Sequence, residues 1–567
     1  MPPTMVRRRK TSAIALPAGG APLPEPGRRV PLSPFDAYWV TLPPVRRVFL
    51  YRSPPSLMPF TNVVAALRSS LERVLPAFHP FAGVLTSSPD SQELSIVLPD
   101  GEGACSITLI EAETDLELDR LVEEYDEEAL RQLAPDIRRD ELPAPVMAAQ
   151  VTEFVGGVAV GVAVHHSAAD GRGLWRFLEM WSATAAGVME GQSWPVWAGQ
   201  QPLHDRRLVR FDGDDDLASG DGRRPTGRPE VHPAAPFVAG PWEGAREAAT
   251  IPGSIAMGSI GARPRDRAPL LCKLELPPPL LSFILGRLPH ASGSSLYQGS
   301  FSTYLLPQLG QPAVDAPSAT AASQSVIEVE SEKVAPKQDA ARERERCLSR
   351  RTFTFAASAV QRLKQRLAAA VNTGMPPSTF AAMAAHGWVS IARARGFTDD
   401  ALVFAVFLAD CRAYMSPPVP GAYVGNCLAL CTASLSGSQL AGPDGPSTAL
   451  LAIQEAVAEV KRDPLGDRVR WCTKFAAIPP GRAVILAGSP WFPAYGVDFG
   501  FGRPARVELA SMNHDGEMVL VAGGERGSVQ ASVAIAADKM TVFRGMFELE
   551  CDRASAMPVS ESEYVKL

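Results

Sequence analysis

The run "FVGGVAVGVAVHH" (154–166) constrains the fold of this chain more than any other stretch. Its small and β-branched residues show no alternation with polar ones, which is typical of a strand buried on both faces. The stretch that follows, "GRGLWRFLEMWSATAA" (171–186), places Leu174, Phe177, Leu178 and Trp181 at helical spacing. The sequence therefore predicts a buried strand and a packed helix within an α/β fold.

Two histidines and an aspartate stand at the junction of these elements. Asp170 can cap the helix or orient a site. For His166, a metal site would need an H-E-x-x-H pattern or a Cys/His cluster, and a serine nucleophile would need a G-x-S-x-G turn; the sequence contains neither. Two interpretations remain open, a general base that accepts a substrate proton and a structural histidine.

The rest of the chain predicts two domains. Residues 31–211 alternate strands and helices, and a second domain of α/β or α+β type follows over 347–567. Between them, residues 212–346 are rich in Pro, Gly, Ser and charge without a period that buries a face, which predicts a crossover linker with a large, mostly disordered insertion. Residues 1–30 carry a basic cluster without an apolar core, so we expect a disordered tail and no signal peptide.

Individual elements are predicted from hydrophobic periodicity. Helices are expected over 61–75, with Thr61 as its N-cap, and over 376–395. The predicted strands lie at 47–52, 401–408, 482–487, 518–522 and 529–535.

Composition excludes several classes of function. A net charge of −6 and a pI near 5.9 give no basic face for nucleic acid. The eight cysteines form no C-x-x-C pair, and the longest apolar run, 154–164, is too short to span a bilayer. We therefore expect a cytoplasmic monomer with small-molecule substrates, no nucleic-acid or membrane partner, and no metal.

Two motifs and several supporting segments carry a family resemblance. His166 to Gly171 form an H-x-x-x-D-G motif, and Asp498 to Gly502 read "DFGFG". At these motifs the chain resembles the plant BAHD acyltransferases, whose second motif is D-F-G-W-G. The supporting segments are "LSPFDAYWVTLPPVRRVFLYR", "LRSSLERVLPAFHPFAGVL", "PLHDR", "STFAAMAAHGWV" and "DCRAYMSPPVPGAYVGNC". The last resembles the Y-F-G-N-C element of the branch that acylates anthocyanins, flavonoids and phenolic glucosides, with Val424 in place of Phe.

The resemblance implies two domains related to chloramphenicol acetyltransferase, each a mixed sheet flanked by helices, with the active-site channel between them. Acyl-CoA would enter from one side as co-substrate and the acceptor from the other, with no bound cofactor. His166 would be the general base that deprotonates a hydroxyl or amine, which attacks the thioester directly. No acyl-enzyme would form, so no nucleophilic side chain would be needed.

The resemblance also implies roles for further residues. Asp170 would be structural and paired with an arginine, for which Arg412 is the candidate, and Asp498 would be a second catalytic residue. Phe501 replaces the family's tryptophan and lacks its indole N–H, so we expect the motif to act by packing. The other orienting residues expected are Gly171, Phe499, Gly500 and Gly502. The substrate-channel candidates are His165, Tyr423, Gly425, Asn426 and Cys427.

The expected reaction transfers a malonyl or hydroxycinnamoyl group to a flavonoid, an anthocyanin or another phenolic glucoside. A carboxylated donor would need a cation in the channel, and Arg172 is the candidate. One alternative is a catalytically silent binding protein of the same fold, which the Phe501 replacement and the large insertion would favour. Another is an H-H-x-x-x-D-G acyltransferase with a different alcohol or amine acceptor. A carrier-dependent condensation domain is of this type, but it gives no reason for "DFGFG".

Overall fold

The computed structural model describes residues 5–16, 29–40, 42–52, 59–87, 94–99, 105–137, 142–191, 200–209, 348–372, 375–466, 471–512 and 514–552. The predicted insertion over 212–346 lies outside these residues. No helix within the described ranges combines the length and the apolar character needed to cross a bilayer.

The N-terminal half is built from nine strands and five helices of the described ranges. The strands are β1 (Arg7–Ala15), β2 (Arg29–Pro31), β3 (Val45–Arg52), β4 (Val84–Ser87), β5 (Leu94–Val97), β6 (Ser106–Glu117), β7 (Ala144–Pro145), β8 (Met147–Val155) and β9 (Gly157–Val164). The helices are α1 (Pro34–Ala37), α2 (Phe60–Val74), α3 (Leu118–Glu123), α4 (Glu127–Gln132) and α5 (Gly171–Met189).

The C-terminal half continues the same alternation in the described residues. Its strands are β10 (Leu348–Phe355), β11 (Leu402–Asp410), β12 (Leu428–Ser436), β13 (Ala483–Gly488), β14 (Arg506–Leu509), β15 (Glu517–Ala522) and β16 (Val529–Ala536). Its helices are α6 (Ala357–Val371), α7 (Thr379–Ala394), α8 (Gly437–Ala441), α9 (Gly445–Arg462), α10 (Trp471–Ala476) and α11 (Ala537–Asp552).

The first sheet has the strand order β1-β6-β8-β9-β3-β14, with β9 well inside it. Every residue of β9 is buried, which confirms the strand predicted from the apolar run. The start of that run belongs to β8, and Gly156, at φ 85°, turns the chain from β8 into the antiparallel β9. Gly161 is required on this strand, because a Cβ there would lie 1.9 Å from the carbonyl oxygen of Leu133.

Strand β1 contradicts the prediction that residues 1–30 form a disordered tail. It is the edge strand of the first sheet and pairs antiparallel with β6. Arg7 donates to Asp115 at 2.6 Å, and Arg9 forms ion pairs with Glu113 and Glu153. The basic cluster therefore lies opposite acidic residues of neighbouring strands, which composition alone could not reveal.

The second six-stranded sheet has the order β10-β16-β15-β13-β11-β12, and a four-stranded sheet has the order β2-β5-β4-β7. One C-terminal strand does not join the second sheet. Strand β14 pairs with β3 and completes the first sheet, with Val507 opposite Phe49. The predicted boundary at residue 347 therefore divides the sequence but not the sheets, because the C-terminal half supplies a strand to the N-terminal one.

Candidate active site

His166 lies in a short loop that joins the buried end of β9 to α5. The Ser167 hydroxyl and Nδ1 of His165 form a hydrogen bond of 2.8 Å. The Ala168 N–H donates to the His165 carbonyl at 3.0 Å. At the end of the loop Asp170 caps α5, because its Oδ1 accepts the N–H of Gly173 at 3.0 Å. The loop is thus held at both ends by its own hydrogen bonds.

Asp170 is also half of a buried ion pair with Arg412. The two atoms Oδ2 and Nη2 are 2.7 Å apart, and the side chains are 0% and 3% exposed. Arg412 also donates to the carbonyls of Tyr423 (3.2 Å) and Gly425 (2.8 Å). Both interpretations of Asp170 are therefore correct: it caps the helix, and it pairs with the arginine that was its candidate partner.

A second buried pair, which the sequence analysis missed, lies beside the first. Asp36 is fully buried and lies 3.1 Å from Nε of Arg206, the last residue of "PLHDR". The same carboxylate accepts the backbone N–H of Asn426 at 2.9 Å and its side-chain amide at 2.8 Å. The Tyr423 ring lies near both arginines, with its centroid 5.4 Å from the Arg206 guanidinium carbon and 5.6 Å from that of Arg412.

His166 contacts both parts of this assembly. Its carbonyl accepts the side-chain amide of Asn426 at 2.9 Å, which ties the loop between β9 and α5, the His166 loop, to the C-terminal half. Its ring stacks on Trp39 with the centroids 4.0 Å apart and the planes 14° apart. Its Nδ1 is buried without a hydrogen-bond partner among the described residues. Trp39 is a further residue that sequence reasoning missed, because stacking between residues so far apart has no local pattern.

Burial lowers the pKa of His166 below its ordinary value, although Asp170, Asn426 and Asp36 oppose the shift. A lowered pKa leaves the imidazole neutral at pH 7, which is the form that accepts a proton.

A pH profile tests this state. Activity that depends on neutral His166 should fall as the pH falls through the pKa, and because that pKa is lowered, the acid limb of kcat/KM should have its midpoint below ~6.5. Above that limb, kcat/KM should stay constant up to neutral pH. A midpoint at or above the ordinary histidine value would show that the active form of the site does not hold a lowered pKa.

The structure does not bring the predicted channel residues to an open surface. His165, Tyr423, Asn426 and Cys427 are each 1% exposed or less. A Cβ on Gly425 would lie 2.0 Å from Nη1 of Arg206, so this glycine lets the arginine approach the backbone. In the structure these five residues are buried beside the loop, and their place along the substrate channel stays a prediction.

Asp498 forms its hydrogen bonds within its own turn, and a catalytic role for it stays a prediction. Its Oδ1 accepts the N–H groups of Gly500 (2.8 Å) and Gly502 (2.9 Å), and both glycines have positive φ, 99° and 88°. Gly500 lies against the C-terminal end of α5, where a Cβ would be 2.7 Å from Sδ of Met189. Helix α5 begins at the His166 loop and is ~28 Å long. Asp498 therefore shapes a turn near the other end of this helix.

The two phenylalanines of "DFGFG" are packing residues, as expected. Phe499 is fully buried and meets Trp181 edge-on at 4.7 Å. Phe501 is 8% exposed and meets Tyr51 edge-on at 5.4 Å. The Tyr51 hydroxyl donates to the carbonyl of Val497 at 2.8 Å, which fixes the turn against the first sheet.

Phe501→Trp is therefore expected to keep kcat/KM within about threefold of the wild type, since the described ring contacts of Phe501 are with Tyr51 and Phe499. The larger indole should lower the free energy of unfolding by about 1–3 kcal/mol, measured by urea unfolding. Phe499→Trp is the matched comparison and should cost more, because that ring has no exposed edge. A drop of more than tenfold in the rate of Phe501→Trp, with stability unchanged, would show that the turn acts on the chemistry.

Comparisons with known proteins agree with this fold. A family model described as the Transferase family matches residues 16–216 and 307–550. Phenolic glucoside malonyltransferase 1 of Arabidopsis thaliana is 24% identical over 504 residues, 88% of this chain and 88% of that protein. The match to the family model resumes at residue 307, so residues 307–346 of the predicted insertion lie within it.

Solved structures share the fold at low sequence identity. The crystal structure of vinorine synthase has a TM-score of 0.57 at 15% identity, covering 95% of this chain and 96% of that one. The structure of F. graminearum TRI101 with coenzyme A and T-2 mycotoxin has a TM-score of 0.55 at 14% identity, covering 90% and 96%. The predicted α/β fold with two domains is thereby confirmed. Since the family model matches well over half of the chain, this protein belongs to the Transferase family, the BAHD acyltransferases, and is an acyl-CoA-dependent acyltransferase.

Proposed function

We propose that this enzyme transfers a malonyl group, or alternatively a hydroxycinnamoyl group, from coenzyme A to a hydroxyl of a flavonoid, anthocyanin or other phenolic glucoside. The observation that carries the proposal is the state of His166. It is a half-buried imidazole with a lowered pKa, stacked on Trp39 and held through its backbone by Asn426. A neutral, positioned imidazole is suited to general-base catalysis.

In the proposed reaction His166 accepts the proton of the acceptor hydroxyl as its oxygen attacks the thioester carbonyl. The new C–O bond forms a tetrahedral intermediate, which collapses with cleavage of the C–S bond. The coenzyme A thiolate leaves and takes the proton from the imidazolium, so that the base is regenerated. Each turnover yields one ester and one free thiol, and no covalent enzyme intermediate is required.

The two buried ion pairs serve this reaction by positioning. Asp170 and Arg412 fix the start of α5, and Asp36 with Arg206 anchors Asn426, the residue that holds the His166 backbone. Base catalysis depends on placing the imidazole within hydrogen-bond distance of the hydroxyl, and a rigid support reduces the cost of reaching that geometry.

For the donor, malonyl-CoA is supported by the relative named phenolic glucoside malonyltransferase 1. Arg172 is the cation predicted from the sequence to bind a malonyl carboxylate. In the structure Arg172 is about half exposed, and its Nη1 lies 3.1 Å from Oδ2 of Asp410. An exposed arginine that already has an acidic partner is a poor carboxylate site, since binding would have to displace that partner.

For the acceptor, we propose a cavity of about 270 Å³ beside α1. Trp471 forms one wall and packs on Phe35 and Tyr38, with centroids 5.7 Å apart in both cases. Tyr38 is followed by Trp39, on which His166 stacks. The polar residues that line the cavity include Glu459, Asp463, Lys474 and Thr432, whose side chains can hydrogen-bond the hydroxyls of a sugar.

The test is a matrix of donors and acceptors with mass-spectrometric detection. Malonyl-, coumaroyl- and acetyl-CoA are each combined with phenolic glucosides, their aglycones and a simple amine, and thiol release is followed in parallel. We expect malonylated glucosides and no product from the aglycones. Acylation of only the aglycone or the amine would refute the proposed acceptor, and exclusive use of acetyl-CoA would refute the proposed donor.

A further inference from the structure

One buried arginine of the N-terminal half forms no ion pair with any other residue that the structure describes. Arg47 lies on β3 and is 5% exposed. Among the described residues no carboxylate oxygen lies within 4.0 Å of its guanidinium, and its Nε has no hydrogen-bond partner. In contrast, the buried Arg206, Arg350 and Arg412 each form an ion pair. A charged group in this position is expected to have a binding partner.

The acidic residue that acts on Arg47 is Glu508, which is already engaged. Its Oε1 lies 2.6 Å from Nε of Arg506, and its Oε2 accepts the hydroxyl of Thr352 at 2.6 Å. Burial lowers the pKa of Arg47 to about 10, and Glu508 offsets this only in part. The guanidinium therefore remains charged at neutral pH, although no described carboxylate pairs with it.

Arg47 lies close to the His166 loop along the first sheet. It lies opposite Val162 on β9, and Val45 lies opposite Val164, the last residue of that strand. Arg47 is thus two residues, ~7 Å along the strand, from the end that leads into His165 and His166.

Its guanidinium lies near the start of α5. The guanidinium carbon is 5.6 Å from the ring centroid of Trp175, in the second turn of that helix. Trp175 in turn packs on Phe492 at 5.9 Å, and a Cβ on Gly171 would lie 2.8 Å from the same phenylalanine. The unpaired cation and the histidine therefore belong to the same corner of the first sheet.

We propose that Arg47 determines donor specificity by binding the free carboxylate of a malonyl or similar dicarboxylic acyl group on coenzyme A. This inference rests on the proposed function, whose donor it specifies. The carboxylate carbon of a malonyl group is only about 2.5 Å from the thioester carbon, so its partner must lie close to the base, within the same site. A guanidinium binds a carboxylate through two parallel hydrogen bonds, and Trp175 supports its apolar face.

The test compares kcat/KM for malonyl-CoA and acetyl-CoA in wild type, Arg47→Gln and Arg47→Lys. Arg47→Gln should lower the malonyl value about 100-fold and leave the acetyl value within about threefold, and Arg47→Lys should retain part of the preference. Arg52→Gln, at the exposed end of the same strand, is the control and should leave both values unchanged.

A second readout does not depend on turnover. Without acceptor, malonyl-CoA should raise the Tm of the wild type more than coenzyme A does, and the two should act equally on Arg47→Gln. The variant should lower the wild-type Tm only slightly, since it removes the contact with the Trp175 ring but no ion pair of the charged group.

Three kinds of result would overturn the inference. The first is an equal loss for both donors in Arg47→Gln, or a sharp fall in its Tm, which would make Arg47 a structural residue. The second is a loss of malonyl preference in Arg172→Gln while Arg47→Gln keeps it. The third is that the wild type transfers only acetyl groups and that malonyl-CoA and coenzyme A raise its Tm equally. That result would refute the proposed donor as well, whereas the first two leave the proposed function standing.

Discussion

His166→Ala is expected to lower kcat/KM by about two to four orders of magnitude, the usual contribution of a positioned general base. The folded structure should survive, because in the described residues the side chain stacks on Trp39 alone, and the bond to Asn426 uses the backbone carbonyl. Coenzyme A should bind nearly as well as to the wild type, since the imidazole acts on the acceptor. Single-turnover rates and calorimetric binding of coenzyme A measure the two effects separately.

The neighbouring histidine provides the contrast. His165 is 1% exposed, and its Nδ1 is bonded to the Ser167 hydroxyl. His165→Ala should therefore lower the Tm, with a smaller effect on the rate than His166→Ala has at a temperature where both are folded. Unchanged turnover in His166→Ala would rule out the proposed base, and equal rate losses in both variants would point to a disturbed loop instead.

The elements of the fold with strong local patterns were predictable from the sequence. The strands expected at 401–408, 482–487 and 529–535 are found as Leu402–Asp410, Ala483–Gly488 and Val529–Ala536. The helix expected over 61–75 is found as Phe60–Val74, but Pro59 precedes it as the N-cap residue instead of Thr61. The apolar period fixes the body of a helix, whereas its first residue depends on where the backbone turns.

The support of the active site was much less predictable. Asp170 and Arg412 are 242 residues apart in sequence, and Asn426 and Asp36 are 390 apart. Pairs at such separations leave no periodic signal, so only the resemblance could offer Arg412 as a candidate, and Asp36 and Trp39 were missed. Asp498 differs from these residues, because its hydrogen bonds stay within its own turn.

Asp170→Asn is expected to have the largest effect on stability. Asparagine caps a helix about as well as aspartate, so this variant removes the charge and keeps the cap. Arg412 would then be left buried without its main partner, which typically costs about 3–5 kcal/mol. Asp410, 37% exposed and 3.2 Å from Nη1, still faces the guanidinium, so we expect the lower end of that range. Activity should fall as well, since the His166 loop loses its anchor.

Three further variants separate the charge from the cap in this prediction. Asp170→Ala should cost about 1 kcal/mol more than Asp170→Asn, because it also removes the acceptor for the Gly173 N–H. The double variant Asp170→Asn/Arg412→Gln should recover part of the loss, since replacing both charges leaves none unpaired. Asp119→Asn breaks an exposed pair with Arg52 and should cost less than about 1 kcal/mol. If urea unfolding shows Asp170→Asn to be as mild as Asp119→Asn, the buried pair does not hold the loop, and the capping bond alone explains the aspartate.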